Sequence, residues 1–145
     1  MAANAFDLKV KVALVTGGNS GIGMAQALAQ FGAGVCIWGT NAAKNAAAVD
    51  QLRVHGADVL ALACDVGDEP AVERAFAQTI GHFGHIDVCF ANVGVIGGAV
   101  KSFAQMSTAE WRRVTRVNLD GAFYTLRAAS RHMIEAGNGG SLVVT

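Results

Sequence analysis

Four glycines in eight residues carry the strongest chemical signal in this sequence, in Thr16-Gly17-Gly18-Asn19-Ser20-Gly21-Ile22-Gly23. A short β-branched run precedes the stretch and a helical pattern follows it. The first amides of a helix have no partner inside it, and the helix dipole adds partial positive charge there. A phosphate can use both features if the backbone comes close, and side chains obstruct that approach. Gly17 permits a sharp exit from the strand, Gly21 a close approach to phosphate, and Gly23 tight packing of helix on sheet. The spacing G-x-x-x-G-x-G is one residue longer at its start than the common G-x-G-x-x-G. Such a triplet alone also fits a tight turn that binds nothing. Its place between a first strand and a first helix favours the pyrophosphate of a nucleotide.

Other chemistry is thinly represented. Cys36, Cys64 and Cys89 are far apart, form no C-x-x-C pair and sit in apolar runs, so they read as buried thiols. His55, His82, His85 and His132 show no metal-ligand spacing, and no metal site is expected.

The elements that must position the glycine turn follow from alternation of strand and helix. Val10 to Val15, Val35 to Trp38, Val59 to Cys64, Ile86 to Phe90 and Leu142 to Thr145 read as strands. Ile22 to Phe31 carries a helical pattern ended by Gly32. Asn41 to Val54 is Ala-rich and is stopped by Gly56. A third helix runs from a cap at Asp68, through Pro70 in its first turn, to Phe83. A glycine-containing loop spans Val93 to Met106. Ser107-Thr108-Ala109-Glu110 forms a capping box, with Glu110 reaching back to the cap, and opens one long helix to Ala136. Strands separated by helices imply right-handed crossovers and a parallel sheet. The expectation is one α/β domain over residues 1–145, a doubly wound parallel sheet cut off after its fifth strand.

Composition agrees. Of the 145 residues, 52% are hydrophobic and 15% charged, which excludes a disordered tail and suits strands covered on both faces. Eleven basic residues balance eleven acidic ones, with no basic stripe, so nucleic-acid binding lacks electrostatic support. Asp7, Lys9 and Lys11 interrupt the N-terminus where a signal peptide is apolar, and no run reaches the roughly 18 apolar residues of a membrane span. The expected location is the cytoplasm, with no membrane partner.

The glycine stretch is similar to the T-G-G-x-x-G-I-G cofactor motif of the short-chain dehydrogenases/reductases, a Rossmann-fold family. The resemblance runs the length of the chain. Cys64-Asp65-Val66 resembles the family's segment after the third strand, whose Asp contacts the adenine. Ala91-Asn92-Val93-Gly94 resembles its N-N-A-G motif, with Ala91 in place of the first Asn and Val93 in place of the usual Ala. Val117-Asn118-Leu119 resembles the helix segment with the catalytic Asn, and Gly139 to Val144 the strand leading to the catalytic Ser.

The resemblance implies an NAD(P)-dependent oxidoreductase moving a hydride between nicotinamide and a small alcohol or ketone. It implies cofactor contacts from Gly17, Asn19, Ser20, Gly21, Ile22, Gly23, Asp65, Val66, Asn92 and Gly94, and a water-holding relay role for Asn118. Each has a plainer alternative. Asp65 fits a helix cap or loop, Asn92 fits a turn nearly as well, and Asn118 fits a solvent-facing helix residue. Val93, bulkier than Ala, is expected to narrow the space beside the cofactor ribose. The end of the second strand, Trp38-Gly39-Thr40-Asn41, has Gly39 where NAD binders carry an acidic residue and Thr40 where NADP binders carry Arg. Thr40, Asn41 and Lys44 can still hold a phosphate, which leans toward NADP.

The family's catalytic Ser, Tyr and Lys would lie past Thr145. Tyr124, the sole tyrosine, is expected to pack, with its hydroxyl partnered. By itself the chain is expected to be inactive, and the alternative is a non-catalytic nucleotide-binding or scaffold module. The family's long helix pairs with a partner's copy, so a homodimer or homotetramer is expected.

Overall fold

The computed structural model describes residues 6–19, 23–98 and 102–145. Five apolar runs form strands β1 (Val12–Thr16), β2 (Gly34–Gly39), β3 (Val59–Ala63), β4 (Val88–Ala91) and β5 (Ser141–Val144). All pair in parallel, in the order β3-β2-β1-β4-β5. Parallel neighbours need long crossovers, and helices supply them. These are α1 (Gly23–Gln30), α2 (Ala42–Arg53), α3 (Glu69–Phe83), α4 (Thr108–Thr115) and α5 (Gly121–Ala136). The doubly wound α/β Rossmann-like sheet expected from the sequence is what forms.

Alternation along β2 shows how one strand builds two cores. Val35 and Ile37 join Ala25 and Ala29 of α1 and Ala48 and Leu52 of α2 on one face. Cys36 and Trp38 join Val72 and Phe76 of α3 and Ala129 and Met133 of α5 on the other. The polar atom that Trp38 takes into this core is satisfied: its Nε1 donates to Thr79 Oγ1 at 3.2 Å, and that hydroxyl donates to Ala75 O at 2.8 Å.

Four local expectations need correction. Val10 is not in a strand; it sits at φ +64° in a turn closed by Lys11 N donating to Leu8 O. Asp68 occupies the α3 N-cap but its side chain makes no cap bond. Asp65 organises this loop instead, its Oδ1 accepting from Gly67 N at 2.9 Å. The capping box is half made. Ser107 Oγ accepts from Glu110 N at 3.1 Å, but the Glu110 carboxylate turns to Gly98 N and to Arg113.

The fourth correction bears on function. The single long helix is interrupted by a π turn, Arg116–Asp120, in which Gly121 N bonds to Arg116 O. Tertiary contacts account for it. The Asn118 side chain is bonded to Val95, the Arg116 guanidinium is drawn to Asp65, and Gly121 lies against Val66, where a Cβ would fall 2.5 Å from Val66 Cγ2. Single-turn π segments of this kind favour functional sites.

Candidate functional site

Strand order reverses at β1: one neighbour leads to β2 and β3, the other to β4 and β5. In such sheets a crevice opens beyond the carboxyl ends of the strands at that point. A cleft of about 630 Å³ lies there, lined by the ends of β1, β2, β3 and β4 and by the α4–π turn segment. That volume lies within the range of small-molecule and cofactor sites. Of the residues expected to hold cofactor, Gly17, Asn19, Thr40, Asn41, Lys44, Asp65, Val66, Asn92 and Gly94 all line it. Gly23 opens α1. Ser20, Gly21 and Ile22 lie outside the described residues. Asn118 is exposed and outside the lining, its Oδ1 bonded to Val95 N beside Gly94.

Gly17 turns the chain at φ +70°, and a Cβ there would meet Val93 Cα at 3.0 Å. The bulkier Val93 therefore packs onto the glycine turn, besides lining the cleft. Thr16 holds this junction from below. Its hydroxyl accepts from Asn92 N at 2.9 Å and from Val93 N at 3.0 Å. Asn92 Nδ2 donates back to Thr16 O at 3.0 Å, and Asn92 Oδ1 accepts from the Thr145 hydroxyl at 3.0 Å. Asn92 thus ties the ends of β1, β4 and β5 together, more than a turn residue does.

On the far wall, Asp65 Oδ2 accepts from both terminal nitrogens of Arg116 at 3.0 Å. Oδ2 thus uses both of its lone pairs on Arg116, while Oδ1, with Gly67 N as its partner, keeps one. At the mouth, Asn41 caps α2, its Oδ1 accepting from Lys44 N at 2.9 Å. Among the described residues no acidic group pairs with the Lys44 ammonium. Arg113, also in the lining, is spent on Glu110 and on Ile96 O. The Glu110 carboxyl is held down at about 2, chiefly by Arg113 and then by the Gly98 amide. Cys64 lines the cleft as a neutral thiol, pushed up to about 11 by burial and then by the nearby carboxylates Asp65 and Asp68. Burial likewise raises Cys36 and Cys89 to about 12, and all three thiols are free and buried.

Sequence reasoning missed Thr16, Asn45, Arg113 and Arg116. Thr16 was visible only as the head of the glycine motif. The two arginines read as ordinary charges on a helix surface. Asn45 offered one signal, a poor helix former inside an alanine run.

Residues 11–145 match the short chain dehydrogenase family. The chain is 39% identical over 144 residues to versicolorin reductase of Emericella nidulans, covering 97% of this chain and 52% of that protein. It is 32% identical over 143 residues to 2-dehydro-3-deoxy-D-gluconate 5-dehydrogenase of Escherichia coli, covering 99% and 56%. Among solved structures it resembles a short-chain type dehydrogenase/reductase from Mycobacterium marinum, with TM-score 0.90, 33% identity and coverage of 96% and 56%. It also resembles NAD+-bound xylitol dehydrogenase, with TM-score 0.87, 34% identity and coverage of 94% and 53%. The chain therefore belongs to the short chain dehydrogenase family, a family of oxidoreductases. It spans about half the length of the curated relatives it matches. Among the described residues, no helix is long and apolar enough to cross a membrane.

Proposed function

We propose that this cleft binds a nicotinamide dinucleotide, NADP in preference to NAD, and that the whole protein is a cytoplasmic oxidoreductase acting on a small alcohol or ketone. The observation that carries the reading is the composition of the cleft at the switch point. A positive-φ glycine turn, strand-end polar groups and an uncompensated Lys44 ammonium converge there. The residues fit such a group. Gly17 lets the turn close, and Thr40, Asn41 and Lys44 offer donors to an anionic substituent on the ribose.

A bound nicotinamide supplies the carbon that gives or takes a hydride. The protein's part is to hold, orient and manage protons. Asp65 and Val66 form the adenine side. Asn92 fixes the strand ends under the ribose. Asn118, through its hold on Val95 and its place on the π turn, has the positioning role in proton transfer that the family's helix Asn carries.

The bound xylitol dehydrogenase supports a nicotinamide cofactor in general, and the lean to NADP rests on Lys44 and on the absence of an acidic residue at Gly39. Titration calorimetry tests it. NADPH is expected to bind more tightly than NADH, and Lys44→Ala to weaken NADPH about tenfold with little change for NADH. Tighter binding of NADH by the unaltered chain contradicts the lean. Assembly as a homodimer or homotetramer is part of the same proposal. Leu119, Phe123 and Ile134 are exposed along the π turn and α5, and light scattering tests whether they are covered in solution.

A further inference from the structure

Asn45 lies in the run Ala42-Ala43-Lys44-Asn45-Ala46-Ala47-Ala48, where an alanine would serve the helix better. It is 6% exposed, so its amide must find partners inside the protein. Its Nδ2 donates to Gly39 O at 3.0 Å and to Leu62 O at 3.2 Å, the carbonyls near the ends of β2 and β3. Only a donor can satisfy two carbonyls, so the orientation of this amide is fixed. Oδ1 is left pointing at the glycine turn, where it accepts from Asn19 Nδ2 at 2.6 Å.

The consequence falls on Gly39. A Cβ there would lie 2.1 Å from Asn19 Nδ2, 2.6 Å from Asn19 Cγ and 2.8 Å from Asn45 Oδ1. No side chain fits at the end of β2 while the two amides hold each other. That is the position from which a carboxylate would accept hydrogen bonds from an unphosphorylated ribose.

We propose that Asn45 is a specificity-determining positioning residue: it holds Asn19 across the end of β2, which keeps position 39 to glycine, denies the ribose a carboxylate and so favours a 2′-phosphorylated adenosine. With the strand end closed to a carboxylate, the ribose is met by Thr40, Asn41 and the Lys44 ammonium instead. The inference rests on the dinucleotide reading of the cleft and extends it to a buried residue that does not line it.

The test is calorimetric binding of 2′,5′-ADP and 5′-AMP to the full chain, with thermal melts as a folding control. The unaltered chain is expected to favour 2′,5′-ADP about tenfold, a charge-assisted contact's worth. Asn45→Ala and Asn19→Ala keep Gly39 and bring in no carboxylate, so each reports on the clasp only when combined with Gly39→Asp. Asn19→Ala leaves the Asn45 bonds to Gly39 and Leu62 in place, so it decides the matter if Asn45→Ala does not fold. Gly39→Asp alone should lose both ligands, and Gly39→Asp with Asn19→Ala should regain 5′-AMP. Tight 5′-AMP binding by Gly39→Asp alone, or no return of 5′-AMP binding in folded Gly39→Asp with Asn19→Ala, overturns the role of Asn45 and leaves the dinucleotide reading intact. Failure of the unaltered chain to bind 2′,5′-ADP, 5′-AMP and NADPH overturns the dinucleotide reading, and the inference with it.

Discussion

Asn118 and Val95 clasp each other through two hydrogen bonds: Asn118 Oδ1 accepts from Val95 N at 2.8 Å, and Asn118 Nδ2 donates to Val95 O at 2.9 Å. The clasp joins the π turn to the loop after β4, across 23 residues of sequence. A primary amide is the side-chain group that can accept and donate at one backbone residue in this way.

Asn118→Ala should therefore cost about 1 kcal/mol of stability, the net value of ordinary hydrogen bonds at a solvent-facing position. The more telling readout is local. Hydrogen exchange at Val95 should accelerate while the amides of β1 and β2 keep their protection. Asn118→Asp should accelerate it less, because the carboxylate still accepts from the Val95 amide and loses only the donor to the Val95 carbonyl. Unchanged exchange at Val95 in both variants would show that the loop is held by something else.

Thr16 makes a sharper prediction because it is 1% exposed. Thr16→Val keeps the shape and removes the acceptor for two amides, Asn92 N and Val93 N. Leaving buried donors unmatched should cost about 2 kcal/mol in urea unfolding. Thr16→Ser, which keeps the oxygen, should cost less. Equal losses in the two variants would mean that packing of the methyl group matters and the hydroxyl does not.

The Glu110 anchor gives a pH signature. Its carboxyl, ordinarily near 4.5, is lowered to about 2 by Arg113 and the Gly98 amide. A depressed folded-state value means that the contribution is fully present above the ordinary value and is lost as pH falls through the folded one. The Gly98 amide resonance should hold its position down to about pH 4 and move near pH 2. A midpoint near 4.5 would show that the anchor does not form in solution.

Much of this architecture is local and was therefore readable. The runs that became β2, α2 and α3 carry their own signals, in apolar strand residues, the Asn41 cap and Pro70 in a first helical turn. The glycine turn could be placed because it had to follow a strand and precede a helix. What escaped was set by residues distant in sequence. The pattern from Ser107 to Ala136 reads as one helix, since the contacts that open the π turn come from Asp65, Val66 and Val95. Asp68 does stand at the α3 N-cap, but the loop is organised by Asp65, the plainer of the two readings given for that residue. Asn45 was hidden because its partners are at Asn19, Gly39 and Leu62.

The cleft at the switch point is proposed to hold a nicotinamide dinucleotide. Amide chemical-shift mapping of the labelled chain during NADPH addition tests it most directly. Saturable shifts are expected at Gly17, at Gly39 through Lys44, at Asp65 to Gly67 and at Asn92 to Val95, with little change in the open groove between α3 and α5 that Phe76 and His132 line. Shifts confined to that groove, or no shifts at millimolar NADPH, would contradict it.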